Sequence, residues 1–395
     1  MVHDRSGTGR DKCFCCAEAT LALIFVCIGM KELRRKKIGL VLTGGGAKGA
    51  YHIGCLKALR SAGITQFKAI AGTSVGAMNA VLISGDELER AELTWSEIHW
   101  RNVVSFEPAR LLLAPIWVVA YLFSEFTPLR LISLLSLGGL VTGWLTPPTQ
   151  AASLSSAVSA IAVGSLARVR RLTRRIMLAY VGVSTAPLAA RLAEVITEDQ
   201  VRLMKRSGTR IYGTLSCLRT RKNREPQWIP RYVRLDKMNR EELIDNLVTG
   251  AGVPGLSDVR NAAEIVVDGG WTDNIPVAPI LFDPESAVDV LIIIDTGNKS
   301  VGLSKHSATR ESLKSWAEAR WRTLHPEARP LSSELPEIIW VTPSESIGGF
   351  YSGTCRFTKH SARRMISLAE KDMKAALSCT PMTWKARSSA QTEAC

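Results

Sequence analysis

Apolar positions along the chain follow two rhythms. Ile38 to Thr43 is a continuous branched run, the pattern of a strand buried on both faces. A glycine-rich turn follows, and Ala50 to Arg60 then reads as a helix closed by Gly63. Ala69 to Gly72 ends a second short strand, and Val75 to Ser84 reads as a second helix. This alternation of strand, turn and helix predicts an α/β fold. The same pattern returns late in the chain. "TRIYGTLSCL", "PRYVRL", "AEIVVDGG", "VDVLIIIDTG" and "PEIIWVTP" read as strands, and Arg240 to Val248 as a short helix. "HSARRMISLAEKDMKAAL" is a C-terminal amphipathic helix, and the tail beyond Cys379 is expected to be disordered.

The middle of the chain breaks both rhythms. Glu107 to Ala167 contains "LLLAPIWVVAYLF" and "LRLISLLSLGGLVTGWL", and no charged residue lies between Leu131 and Ala167. Neither run is a clean membrane span, because one is short and the other is interrupted by glycines and ends at Pro147-Pro148. Three readings stay open: an internally packed helical insertion, a lid or interfacial membrane patch, or a true span through about 111–145. The basic run Arg168, Arg170, Arg171, Arg174 and Arg175 follows directly and suits lipid contact or a solvated helix face. At the N-terminus, Ala17 to Met30 is a short apolar run with its positive charge behind it, in "MKELRRKK". That order disfavours a cleaved signal and leaves a start at Met30 or a membrane-apposed helix.

Charge narrows the partners. The net charge of +14 over 395 residues points to an anionic partner. Few aromatics interleave with the basic runs, so a membrane surface is favoured over nucleic acid. The nine cysteines form no disulfide-like framework, which points to a reducing compartment. The one cluster, Cys13 to Cys16, is open to acylation or metal binding, and no matching cluster follows at zinc spacing.

Two glycine-bearing turns carry candidate chemistry. Gly44, Gly46 and Gly49 satisfy G-x-G-x-x-G in a strand–turn–helix context. A dinucleotide site needs an acid about twenty residues on, and no Asp or Glu lies between Leu33 and Gly85. A P-loop fails because Ala50 and Tyr51 follow Gly49. The second turn, "GTSVG", is G-x-S-x-G: Ser74 on a sharp strand-to-helix turn between Gly72 and Gly76. Ser74 is open to being a nucleophile or only a helix cap. A nucleophile beside a row of bare amides is what acyl transfer requires. None of the six histidines sits in a convincing strand-end motif, and His52 reads as packed in its helix. Carboxylates do better as the base. Asp268 ends an apolar strand before two glycines, with Asp273 and Asp295 as rivals.

"GGGAKG", "GTSVG" and "DGG", in that order, resemble the three motifs of the patatin-like phospholipases, relatives of the cytosolic phospholipase A2 catalytic domain. "GAGVPGL" before the last motif and "DNIPV" after it also fit. The resemblance spans Lys37 to Leu377 and is weak from Ser105 to Ser207. It implies a three-layer α/β/α fold with a central mostly parallel sheet and an apolar helical insertion at about 105–207. The domain would cover 37–378, between an N-terminal extension (1–36) and a tail (379–395). It implies a Ser74–Asp268 dyad without histidine. Gly44, Gly45, Gly46, Ala47, Lys48 and Gly49 would form the oxyanion loop, with Lys48 steadying it or adding positive potential. Gly269 and Gly270 would complete the third motif.

The implied activity is lipid acyl hydrolysis through an acyl-enzyme, with no metal and no cofactor. The implied partners are a lipid or phospholipid substrate and a membrane surface, not nucleic acid. The implied location is cytoplasmic and peripherally membrane-associated. One departure touches the substrate channel: the Phe often found after the Pro-Gly is replaced by "LSDVRN" after Pro254-Gly255. Competing readings are a Ser–His–Asp hydrolase using His306, His325 or His360, a non-catalytic lipid-binding protein, and an acyltransferase.

Overall fold

A computed structural model describes residues 31–85, 87–106, 183–219, 227–252, 265–297, 310–328 and 335–378. In chain order, β1 (Ile38–Leu42) passes through the glycine turn into α1 (Ala50–Ser61). β2 (Ala69–Thr73) then leads into α2 (Val75–Ile83) and α3 (Leu88–Glu97). The short pair β3 (Ser105–Phe106) and β4 (Val183–Ser184) precedes α4 (Ala186–Val195) and α5 (Glu198–Arg206). β5 (Arg210–Arg219), β6 (Gln227–Arg234), α6 (Arg240–Thr249) and β7 (Val266–Asp268) follow. The rest is α7 (Ala278–Phe282), β8 (Val290–Ile294), α8 (Arg310–Leu324), β9 (Glu337–Val341) and α9 (Lys359–Ser378).

The sheet runs β6-β5-β2-β1-β8-β9, and every pairing from β5 to β9 is parallel. Alternation along each strand explains the layers. On one face, Leu40, Leu42, Ile292 and Ile294 pack with side chains of α1 to α6 and α9. On the other, Val41, Leu291 and Ile293 pack with α7 and α8 through Ile280, Leu313 and Ala317. Burial on both faces accounts for the unbroken branched runs in β1 and β8. Each fully buried Leu or Ile contributes about 1.5–3 kcal/mol, and Leu40→Ala would cost about 2–5 kcal/mol.

The expected mostly parallel α/β sheet is what forms, with two strands reversed. β6 and β7 both run antiparallel to β5. Hydrophobic pattern alone does not report strand direction. Helices α3, α4, α5 and α8 were not legible as apolar runs, because each buries only a narrow stripe. Leu188, Leu192, Val201 and Met204 join the main core, so the part of the 105–207 stretch from 183 onward packs into the body of the fold. The apolar runs at 111–145, the segments 17–30 and 379–395, Pro254-Gly255 and His306 lie outside the described residues. Among the described residues, no helix is long and apolar enough to cross a membrane.

Candidate active site

Strand register brings the candidate site together. β2 ends at Thr73, paired with Thr214 of β5. β5 continues past that point, and β7 enters from the opposite direction along the same edge, ending at Asp268 opposite Leu215. Two strand ends therefore meet head to head at consecutive rungs of β5. Ser74 leaves one end and Asp268 closes the other, although nearly two hundred positions separate them in the chain.

Ser74 adopts φ 54° and ψ −125°, and is the single non-glycine residue with positive φ among the described residues. Such a conformation costs about 1–3 kcal/mol and persists only where the surroundings enforce it. Here close packing enforces it. A Cβ on Gly76 would lie 2.1 Å from the Leu42 carbonyl oxygen, so α2 sits directly on β1. Gly72 likewise faces the backbone at Gly76 and Ala77. The Ser74 carbonyl accepts from the Ala77 amide (3.0 Å), while its side chain makes no capping bond. The hydroxyl lies instead by the Asp268 carboxylate and favours its charged form.

Asp268 keeps a partly exposed edge, yet protein surrounds its carboxylate. Desolvation pushes its pKa up to about 6, and the Ser74 hydroxyl and the Gly270 amide (2.7 Å to Oδ1) pull the other way. At neutral pH the group is mainly ionised and more basic than an ordinary aspartate. Gly269 backs closely onto Thr214 of β5, which fixes the turn after the carboxylate.

The glycine loop is clamped around the same point. The Gly44 amide donates to Asn274 Oδ1 (2.9 Å), and its carbonyl accepts from Thr296 Oγ1 (2.8 Å). Gly44 packs on Ser74, since a Cβ at Gly44 would stand 3.3 Å from Ser74 Cβ. The Lys48 amide donates to the Gly45 carbonyl (3.2 Å), closing a 3₁₀ turn, Gly46–Gly49. Lys48 is buried and attracted to Asp295, and burial lowers its ammonium pKa against that attraction. At the far end of the turn, Asn79 Nδ2 donates to the Gly49 carbonyl (2.9 Å), and Asn79 Oδ1 accepts from Trp95 Nε1 (2.8 Å).

The rival residues have other partners. Asp273, fully buried, accepts from Tyr232 (2.6 Å), Trp316 (3.3 Å) and the Ile275 amide (3.2 Å), with Arg320 Nε at 3.5 Å. Its carbonyl holds the Thr73 hydroxyl (2.9 Å), bracing the strand end just before Ser74. Asp295 accepts from Trp340 and lies by Lys48. His52 is buried against Asn79 (3.1 Å), and burial lowers its pKa to about 3, so it is neutral. His325 packs against Trp321 in a tilted arrangement. The sequence reading missed three supports: Asn79, Thr296 and the Asn274 bond to Gly44. Only Asn274, within the quoted "DNIPV", carried a signal.

Comparison with known proteins bears on this arrangement. The chain matches the family profile of the patatin-like phospholipases over residues 40–281. It is 46% identical over 56 residues to a protein named lysophospholipase nte1 from Aspergillus terreus. It is 50% identical over 54 residues to neuropathy target esterase sws from Drosophila sechellia. Each match covers 14% of this chain and 4% of the relative, so the chain matches only a small part of those proteins. Among solved structures, VipD from Legionella pneumophila aligns at TM-score 0.36 and 17% identity, over 87% of this chain and 67% of that one. The type III effector ExoU aligns at TM-score 0.34 and 15% identity, over 86% of this chain and 52% of that one. The family profile spans more than half of the sequence and contains all three motifs, and on that ground the chain belongs to the patatin-like phospholipase family.

Proposed function

We propose that the protein hydrolyses lipid acyl esters through a Ser74–Asp268 dyad. The observation that carries this reading is the strained Ser74, its hydroxyl beside a desolvated carboxylate that it favours in the charged form. Asp268 takes the Ser74 proton as Oγ attacks the acyl carbonyl carbon. The Gly45 and Gly46 amides are the candidates to receive the oxyanion, because the Gly44 and Lys48 amides already donate within the fold. The N-terminus of α2 adds positive potential at the same point. Collapse breaks the ester C–O bond, and the departing alcohol or lysolipid carries the proton away. Water then attacks the acyl-enzyme, gives a proton to Asp268, and releases the fatty acid while Ser74 regains its hydrogen.

Lys48 steadies the loop in this scheme, since it is drawn to Asp295 inside the protein. The substrate class is a lipid or phospholipid presented at a membrane surface, and the net charge of +14 favours anionic surfaces. No histidine takes part. Substituting Ala for His306, His325 or His360 should leave turnover within about twofold, and abolished turnover at one of them would install a triad instead.

The direct test is labelling with a fluorophosphonate probe, followed by a lipid panel read as fatty-acid release. Wild type should label, and Ser74→Ala should not. Equal labelling of the variant would remove Ser74 as nucleophile. Activity confined to soluble short esters would sink the phospholipase assignment while sparing the dyad. Acyl transfer to an alcohol in place of water would reclassify the enzyme without changing the first step.

A further inference from the structure

Three large, exposed aromatic side chains border the candidate site. Trp271 follows Gly270 directly and is 61% exposed. Phe350 (56% exposed) and Tyr351 (85%) begin the turn Phe350–Thr354. The far end of that turn rests on the glycine loop. Gly46 has φ 57°, and a Cβ there would lie 2.5 Å from the Thr354 carbonyl. Gly353 packs against Cε of Lys48. The aromatics thus ride on loops anchored to the two halves of the site, one beside Asp268 and one beside the oxyanion loop. Among the described residues the other exposed large hydrophobics are Leu93 and Leu203, which sit singly on α3 and α5, and Trp100, which is 37% exposed with the Arg101 guanidinium over its ring.

Charge follows the aromatics. Between 344 and 364, Arg356, Lys359, Arg363 and Arg364 stand against one acid, Glu345, which pairs with Arg364. Arg356, Lys359 and Arg363 are exposed. Lys359 and Arg363 stand on α9 and are held in place. α9 is pinned to α1, with the Ile366 carbonyl directly beneath Gly54, and α9 touches the Gly46–Gly49 turn. Exposed aromatics cost free energy in water, and amphipathic rings are favoured where water meets lipid. A chain of net charge +14 repels a second copy of itself and is drawn to an anionic surface.

We propose that Trp271, Phe350 and Tyr351, backed by Arg356, Lys359 and Arg363, form a docking surface for an anionic lipid bilayer. The rings enter the interfacial layer and the cations meet the headgroups, which turns the mouth of the site toward the membrane. The purpose of this surface rests on the lipid-hydrolase reading above; its existence is tested without turnover.

Co-flotation of the full chain with phosphatidylcholine vesicles, with and without phosphatidylserine, provides that test. Wild type should bind the phosphatidylserine vesicles. Phe350→Ser/Tyr351→Ser should weaken binding by about tenfold or more, and Tyr351→Trp should retain it. Lys359→Ala/Arg363→Ala should lose about fivefold per cation, only with phosphatidylserine present. Binding by the double-serine variant within twofold of wild type would overturn the proposal. So would loss of binding in Tyr351→Trp, or a dimer that the double-serine variant dissociates, which would make a second copy the occupant. Repeating the measurement on Ser74→Ala separates the two claims. A protein that hydrolyses no lipid but shows this binding pattern loses the enzyme reading alone, and an active hydrolase without it loses the docking surface alone.

Discussion

Asp268 and Asp273 stand five residues apart in one turn, and burial lifts both carboxyl groups to about 6. Their surroundings differ in kind. Asp268 accepts from a backbone amide and has the Ser74 hydroxyl beside it, with no cation among its named partners. Asp273 is saturated by Tyr232, Trp316 and a backbone amide and faces the Arg320 guanidinium. A raised pKa marks desolvation in both places and identifies neither as a base. What separates them is the neighbour: a group that can become a nucleophile, or a counter-ion that holds the charge still. Asp273 bears on the proposed site through its carbonyl, which fixes Thr73 in front of Ser74.

The sharpest way to break this comparison is a mirror pair of substitutions. Asp268→Asn should cut ester hydrolysis by about 10³-fold or more with the fold retained. Asp273→Ala should instead cost about 3 kcal/mol in chemical unfolding, because it removes the carboxylate facing the partly buried Arg320 and leaves Tyr232 without its acceptor. If Asp273→Ala abolishes turnover at unchanged stability, the roles are reversed. Next in size is the pH profile. In the proposed dyad Asp268 must be ionised to accept the Ser74 proton, so kcat/KM should fall roughly tenfold per unit below about pH 6 and level off above it. A flat profile from pH 5 to 8 would contradict a base raised by burial.

Asn274→Ala should lower kcat by about tenfold with little change in KM, because it frees the Gly44 amide and loosens the loop. An equal rise in KM alone would make Asn274 a substrate contact. The smallest effect is on stability. The folded-state pKa of Asp268 lies above its unfolded value, so this group costs stability as pH rises from about 4 to 6. Asp268→Asn removes that cost. Its advantage over wild type in urea unfolding should therefore be absent at pH 4 and reach on the order of 1 kcal/mol by pH 7.

Much of the scaffold was legible in the chain because it depends on short-range chemistry. The branched runs of β1 and β8 announce strands buried on both faces. The G-x-S-x-G of Gly72 to Gly76 announces a tight turn, and in the fold Gly76 lies close against the Leu42 carbonyl. The polar helices were not legible. α5 buries Gln200, Val201 and Met204 along one stripe and is otherwise charged, so apolar content alone does not reveal it. Strand direction was equally hidden, since β7 reads the same whether it joins the sheet parallel or reversed.

The sequence alone determined the ordered motifs, their turn chemistry and the family they resemble, because glycine spacing and hydrophobic period are local properties. Only the tertiary structure decided which aspartate Ser74 meets. That choice rests on register: β7 ends opposite Leu215, one rung beyond the Thr73–Thr214 pair, and both neighbouring positions are set by the long strand β5. It also decided that Asp273 is enclosed by Arg320, Tyr232 and Trp316, from elements remote in the chain. Burial and counter-charge belong to the packed molecule, so two like residues in one short turn acquire different chemistry only when the sheet and its helices close around them.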